Sequence, residues 1–181
     1  MFETKGSHTG VVLVQTIGGS SNLSGESYLI EQLFNMKFAL KQLSRILLDL
    51  SKKVAFSAST TGHGVISSGS TLAFPVVINN VEGGYDPGTG TFTIPTAGQY
   101  VFYISAQGYS SDTLYVSILH NGGAKVMTMS DGGRRKDFYD SGSNLLTLNL
   151  QQGDRVWAMC QSGSNYYSEG IPITTFSGFL V

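Results

Sequence analysis

The spacing of the apolar residues changes near Val54, and this change divides the chain into two kinds of structure. From Leu29 to Val54, apolar residues recur at alternating intervals of four and three, which is the heptad pattern of a helix that packs along one seam. Beyond Val54, apolar and polar residues alternate, as they do in strands buried on one face. The sequence therefore predicts a helical segment followed by an all-β domain.

The heptad segment is assigned to residues 28–53. The leader before it, residues 1–27, is expected to be flexible because it is rich in Gly, Ser and Thr and its apolar residues show no sustained period. Burying a Leu side chain contributes roughly 1.5–3 kcal/mol, whereas ordering the backbone costs about 1–2 kcal/mol per residue, so a lone helix is marginal and self-association is expected. The alternative is an amphipathic helix that packs on its own domain. The seam consists of Leu29, Leu33, Met36, Leu40, Leu43, Leu47 and Leu50. Further apolar residues widen the stripe beyond a two-stranded seam, namely Ile30, Phe34, Phe38, Ile46 and Leu48.

The second segment consists of short apolar stretches separated by turn residues. The clearest alternation runs through Tyr100, Phe102 and Ile104. Turns rich in Gly follow at residues 121–123 and 152–154, and no helical pattern intervenes. Many short strands with regular turn signals predict a β-sandwich or jelly roll.

Composition limits the classes of protein to which the chain can belong. Its 181 residues suit one domain with an appendage. The 11 basic and 12 acidic residues give a net charge of −1, so the chain as a whole lacks the positive charge that is typical of proteins that bind nucleic acid or an anionic membrane. No apolar run approaches the roughly 20 residues that cross a bilayer, and the N-terminus shows no signal-peptide pattern. The single Cys160 cannot form an intrachain disulfide and is predicted to be a buried, inert thiol.

Five motifs occur in a characteristic order after the helical segment, at residues 54–58, 74–80, 85–102, 150–157 and 176–180. Together they resemble the globular head of the complement C1q family. The resemblance covers residues 54–181 and implies the jelly-roll sandwich that this family shares with the tumour necrosis factor ligands. It also implies a secreted homotrimer, so the heptad segment is interpreted as a trimerising coiled coil.

One charged loop, at residues 131–140, is a candidate ligand site in a chain with few charges. Arg134 and Arg135 are suited to carboxylate or sulfate groups, and on a trimer they would occur three times. Asp137 and Asp140 offer oxygen ligands to Ca2+, which is the one cofactor considered for the chain. The alternative is a solvated loop with internal ion pairs.

Aromatic residues next to small polar residues form a second candidate site, because sugars present both apolar C–H faces and hydroxyl groups. The same residue types are common in ordinary loops. Across both sites, the candidate ligand-binding residues are Arg134, Arg135, Tyr139, Tyr109, Asn165, Tyr166 and Tyr167.

The expected function is non-catalytic recognition. The sequence has no Gly-x-Ser-x-Gly, phosphate-loop or His-Glu-x-x-His motif, and its three histidines are far apart. The leading hypothesis is a secreted, lectin-like homotrimer that binds carbohydrate or other repeated surface ligands, as in innate-immune pattern recognition. The alternatives are a structural protein of matrix or mucus and a trimeric signalling ligand for a cell-surface receptor. The expected partners are copies of the same chain and such a ligand, without nucleic acid and without a membrane span.

Overall fold

A computed structural model of the chain describes residues 25–50, 52–109, 113–131, 139–163 and 165–181. The described part forms a helix and a β domain, which belong to two separate compact units, and the second unit spans Lys52–Val181. Most of the predicted leader lies outside the described residues, and so does most of the charged loop with Arg134 and Arg135. No helix among the described residues is long and apolar enough to span a membrane.

Helix α1 extends over Gly25–Leu50, and the only helix-breaking residue in it is the glycine at its start. The described seam side chains, Leu29 to Leu47, are between 55% and 66% exposed, so none of the residues that the structure describes covers the seam. The side chain of Leu50 lies outside the described ones. The coiled coil stays a prediction, which an uncovered seam favours.

Twelve strands form the described part of the β domain. They are β1 (Ala55–Ser59), β2 (Gly64–Val65), β3 (Val76–Val81), β4 (Tyr85–Asp86), β5 (Thr91–Thr93), β6 (Gly98–Tyr109), β7 (Leu114–His120), β8 (Gly123–Ser130), β9 (Tyr139–Leu150), β10 (Arg155–Ser162), β11 (Asn165–Tyr167) and β12 (Thr175–Leu180). All strand pairs are antiparallel, and the predicted jelly-roll sandwich is confirmed.

The strands are divided between a seven-stranded and a five-stranded sheet. In the seven-stranded sheet the order is β2-β11-β6-β12-β1-β3, and β9 pairs with β6 along its whole length. Because β9 occupies one edge of β6, β12 and β11 share the other edge, β12 alongside Tyr100–Ser105 and β11 alongside Gln107–Gly108. The five-stranded sheet has the order β4-β5-β10-β7-β8.

Aromatic rings form the centre of the core between the two sheets. The ring of Phe56 stacks on the rings of Tyr85 and Phe92, with centroids 4.8 Å and 4.6 Å apart. It packs edge to face with the ring of Phe176, whose centroid is 5.0 Å away. Gly178 leaves room for these rings, because a Cβ there would lie 2.6 Å from the ring of Phe102. The rings therefore pack at the centre of a core that buried aliphatic side chains complete.

Cys160 is fully buried, as predicted, and burial raises the pKa of its thiol. Two glycines of the 85–102 motif are constrained in different ways. Gly90 has a φ of +68°, which residues with a Cβ rarely adopt. Gly98 has no positive φ, and a Cβ there would instead lie 2.5 Å from Cδ1 of Leu180.

Candidate binding surface

The outer face of the seven-stranded sheet carries the candidate binding surface. Along β6, alternate side chains are buried in the core; along β9, exposed residues alternate with less exposed ones, of which Leu146, Leu148 and Leu150 pack in or against the core. The residues between them face outward. Strand register places these outward residues in rows across the sheet. Three zones follow one another along the face, and they differ in chemistry.

The first zone contains exposed apolar side chains and lies at the end of the sheet where β1 begins and β12 ends. Val101 is in register with Phe179, and Tyr103 with Leu145. Phe179 is 49% exposed and Leu145 is 55% exposed. We call this zone the apolar rows, and it consists of Val81, Val101, Tyr103, Leu145 and Phe179.

The second zone is a band of small hydroxyl residues across the middle of the face. Ser105 is in register with Ser143 on one side and with Thr175 on the other. Ser177 is in register with Tyr103 and donates a hydrogen bond from its hydroxyl to Oγ of Ser57 at 3.0 Å, so hydroxyl residues also extend the row of Tyr103 across β12 and β1. The band is polar and separates the apolar rows from the far end of the face.

The third zone, at the far end, is a cluster of three tyrosines. Tyr109 on β6 is in register with Tyr139 on β9, and their rings are 5.5 Å apart. Tyr167 on β11 lies 5.9 Å from the ring of Tyr109 and 4.6 Å from that of Tyr139. The imidazole of His63 is 5.9 Å from the ring of Tyr109. We call Tyr109, Tyr139 and Tyr167 the tyrosine cluster.

A carboxylate fixes the hydroxyl end of the tyrosine cluster. The hydroxyl of Tyr167 donates a hydrogen bond to Oε1 of Glu169 at 2.8 Å. This bond is the largest cause that raises the pKa of Tyr167 to about 12, because the negative carboxylate disfavours a phenolate beside it. Next to the cluster, the side-chain amide of Gln107 donates to Oγ of Ser141 at 3.0 Å. Aromatic rings, an amide, a hydroxyl and a carboxylate therefore lie close together at this end of the sheet.

The structure brings together some of the predicted ligand-binding residues and separates others. Tyr109, Tyr139 and Tyr167 form one cluster, and Asn165 is two residues from Tyr167 on the same side of β11. Tyr166 points the other way, lies over Gly64 and packs against the core, so it is not part of the cluster. Arg134 and Arg135 lie outside the described residues.

Sequence reasoning did not identify His63 or Gln107 as part of this surface, and it named Glu169 only as the last residue of the candidate aromatic and polar loop at residues 162–169. Glu169 follows Tyr167 by two residues, a spacing that in an extended chain places both side chains on one side. Nothing in the sequence connects His63 or Gln107 with the tyrosines, because only the pairing of distant strands brings them close. Among the described residues, no three His, Cys, Asp or Glu side chains come together as a metal site, and Asp137 is outside that part of the chain.

Comparison with known proteins identifies the domain. A family model described as the C1q domain matches residues 55–181. Caprin-2 of Danio rerio is 33% identical over 133 residues, which are 71% of this chain and 14% of that protein. Complement C1q tumor necrosis factor-related protein 3 of Mus musculus is 31% identical over 130 residues, which are 71% of this chain and 51% of that protein. The chain thus spans 14% and 51% of the lengths of these two relatives.

Solved structures share the fold. The globular domain of zebrafish complement 1qA protein aligns with a TM-score of 0.59 at 20% identity, covering 72% of this chain and 98% of that domain. The Eiger tumour necrosis factor of S. frugiperda aligns with a TM-score of 0.56 at 18% identity, covering 70% of this chain and 89% of that one. Taken with the matched family model and the resemblance of the five motifs, these findings establish that the chain belongs to the C1q domain family.

Proposed function

We propose that the protein is a secreted, non-catalytic homotrimer whose β domain recognises carbohydrate or another repeated surface ligand. The observation that carries the proposal is the outer face of the seven-stranded sheet, with apolar rows at one end and the tyrosine cluster at the other. The two ends are suited to two different tasks. The apolar rows are suited to assembly, and the tyrosine cluster is suited to ligand binding.

The apolar rows support assembly. A half-exposed sheet normally shows polar side chains to water, whereas here Leu145, Phe179 and Tyr103 present large apolar surfaces side by side. Covering apolar surface contributes roughly 25 cal/mol per Å², so packing this face against other copies is favourable. C1q and tumour necrosis factor domains commonly form trimers, and the uncovered seam of α1 is available for the same purpose. Both units of the chain therefore favour the same assembly.

The tyrosine cluster supports ligand binding. Its rings provide apolar faces for sugar C–H groups, and Gln107, Ser141 and Glu169 provide hydrogen-bonding groups beside them. Tyr139 is 44% exposed and lies on the strand at the edge of the sheet. The hydroxyl band separates the cluster from the apolar rows, so ligand binding does not compete for the surface that assembly covers. Three copies of a weak site on one trimer raise the avidity for a repeated ligand.

A glycan and polysaccharide array tests the ligand. The intact chain is applied with Ca2+ and with chelator, together with the Tyr139→Ala variant and a matched control, Tyr115→Ala, on the five-stranded sheet. We expect selective binding that Tyr139→Ala weakens and Tyr115→Ala retains. An Arg134→Ala/Arg135→Ala variant tests the charged loop in the same way. A blank array from a verified trimer would contradict the lectin-like function and favour a protein receptor as partner.

A further inference from the structure

Helix α1 carries a second apolar surface that does not belong to the heptad seam. With about 100° of rotation per residue, Phe34 and Phe38 point about 140° and 180° away from the mean direction of the seam. Ile30 and Ile46 lie on opposite sides of the seam, each about 100° from it, and Leu48 has the same direction as Ile30. Ile30, Phe34 and Phe38 follow one another at intervals of four and lead away from the seam. The helix therefore has two apolar surfaces with different directions.

Assembly through the seam leaves this second surface open. Phe34 and Phe38 occupy the heptad positions that point outward in any coiled coil built on the leucine seam. In the single chain, Ile30 is 67%, Phe34 70% and Phe38 55% exposed. Large apolar side chains in a continuous line on a solvent face mark a contact surface, because isolated exposed residues do not align in this way.

Basic residues continue the same line toward the C-terminal end of the helix. Lys41 and Arg45 follow Phe38 at intervals of three and four. We call Ile30, Phe34, Phe38, Lys41 and Arg45 the outer stripe. Lys37 occupies a position about 20° from one edge of the outer stripe, and Glu31 and Asp49 occupy positions about 20° from the other edge. Three basic against two acidic residues leave this side of the helix with an excess of positive charge.

The net charge of the chain conceals this excess. Residues 25–53 contain five basic and three acidic residues, whereas the rest of the chain contains six basic and nine acidic residues. Like charges on two outer stripes oppose their pairing with each other. The partner that complements the outer stripe is therefore anionic.

We propose that the outer stripe of α1 binds an anionic lipid surface. Phe and Ile side chains enter the boundary between headgroups and acyl chains, while the Lys and Arg side chains extend toward the charged headgroups. The outer stripe is about 80° wide. The basic side chains of the outer stripe favour the charged headgroups of a lipid surface over an uncharged apolar groove in a protein. The proposal concerns the helix alone and does not depend on the ligand proposed for the β domain.

Vesicle co-sedimentation of the intact chain tests this proposal. One set of vesicles contains phosphatidylcholine alone, and the other contains phosphatidylcholine and phosphatidylserine. We expect sedimentation with the anionic vesicles only, with a fraction bound that falls as salt is added. Lys41→Gln/Arg45→Gln is expected to lower the partition coefficient roughly 30-fold, because each basic residue near such a surface contributes about fivefold.

Two further variants separate lipid contact from helix stability. Phe34→Ala/Phe38→Ala is expected to lower the partition coefficient at least about tenfold, because two half-buried rings leave the membrane boundary. Alanine is a stronger helix former than Phe, so a loss of helix cannot explain this result. Lys125→Gln/Arg155→Gln removes the same charge from the five-stranded sheet and is expected to bind as the unchanged chain does.

Three results would overturn the proposal. The first is no binding of the intact chain to anionic vesicles. The second is unchanged binding by both the Phe and the Lys/Arg variants of the helix. The third is self-association of the protein that needs no lipid, weakens with salt and is lost in the same variants. In that case the outer stripe would bind the acidic residues outside the helix of a second copy.

Discussion

The Leu145→Thr substitution tests whether the apolar rows hold an oligomer together. Leu145 lies on β9 in register with Tyr103, and 55% of it is exposed in the single chain. Thr is a good strand residue, so the variant keeps the fold while it removes most of the exposed apolar surface. Full burial of a Leu side chain contributes roughly 1.5–3 kcal/mol. The exposed part is therefore worth about 0.8–1.6 kcal/mol per protomer, or about 2.5–5 kcal/mol per trimer.

This loss predicts a shift in the concentration at which trimers dissociate. The midpoint varies as the square root of the trimer dissociation constant, so the expected shift is roughly 10- to 60-fold toward higher concentration. Light scattering on a dilution series measures the midpoint, and it applies whether or not α1 adds to the association. Met127→Thr is the matched control, because Met127 is 51% exposed on β8 of the other sheet. Equal midpoints for Leu145→Thr and Met127→Thr, or a monomeric unchanged chain, would refute assembly through the apolar rows.

Two further substitutions test the packing and the electrostatics of the β domain. Gly142→Ala is expected to cost about 1–3 kcal/mol in the free energy of unfolding, because a Cβ there would overlap the carbonyl oxygen of Met129. Gly170→Ala, which meets open space, is the control in the same denaturant titration, and equal losses would contradict the assigned contact. Glu169→Gln is expected to lower the pKa of Tyr167 from about 12 toward 10, so that one tyrosine ionises earlier in an absorbance titration. Identical titration curves would show that the carboxylate does not act on Tyr167.

The strands and the core follow closely from the sequence. Alternation along residues 100–106 predicts a strand with one buried face, and Tyr100, Phe102 and Ile104 are indeed fully buried. The aromatic residues of the motifs are structural, as their size and spacing indicate. An exception is Phe179, which lies three residues from the buried Phe176 on the same strand and is 49% exposed. An odd separation along a strand reverses the face, and the sequence does not state which face meets the second sheet.

The candidate site follows from the sequence only in part. Tyr166 and Tyr167 are neighbours in a loop with the composition of a binding site, and both were reasonable candidates on composition alone. Their side chains leave β11 on opposite sides, so Tyr167 joins the cluster and Tyr166 packs toward the core. The direction of a side chain in a short strand depends on the register of that strand with its neighbours, which local residue preferences do not fix.

The sequence by itself determined the class of the fold and the family, because the alternation of apolar residues and the order of the five motifs can be seen along the chain without knowledge of its pairing. The tertiary structure alone decided that Tyr109, Tyr139 and Tyr167 meet. Their positions are about thirty residues apart, and they come together because β9 and β11 pair with opposite edges of β6. Periodicity along a strand is a local property of the chain. Pairing between distant strands is a property of the whole sandwich, because the strands must be arranged so that all of their apolar faces are buried in the same core.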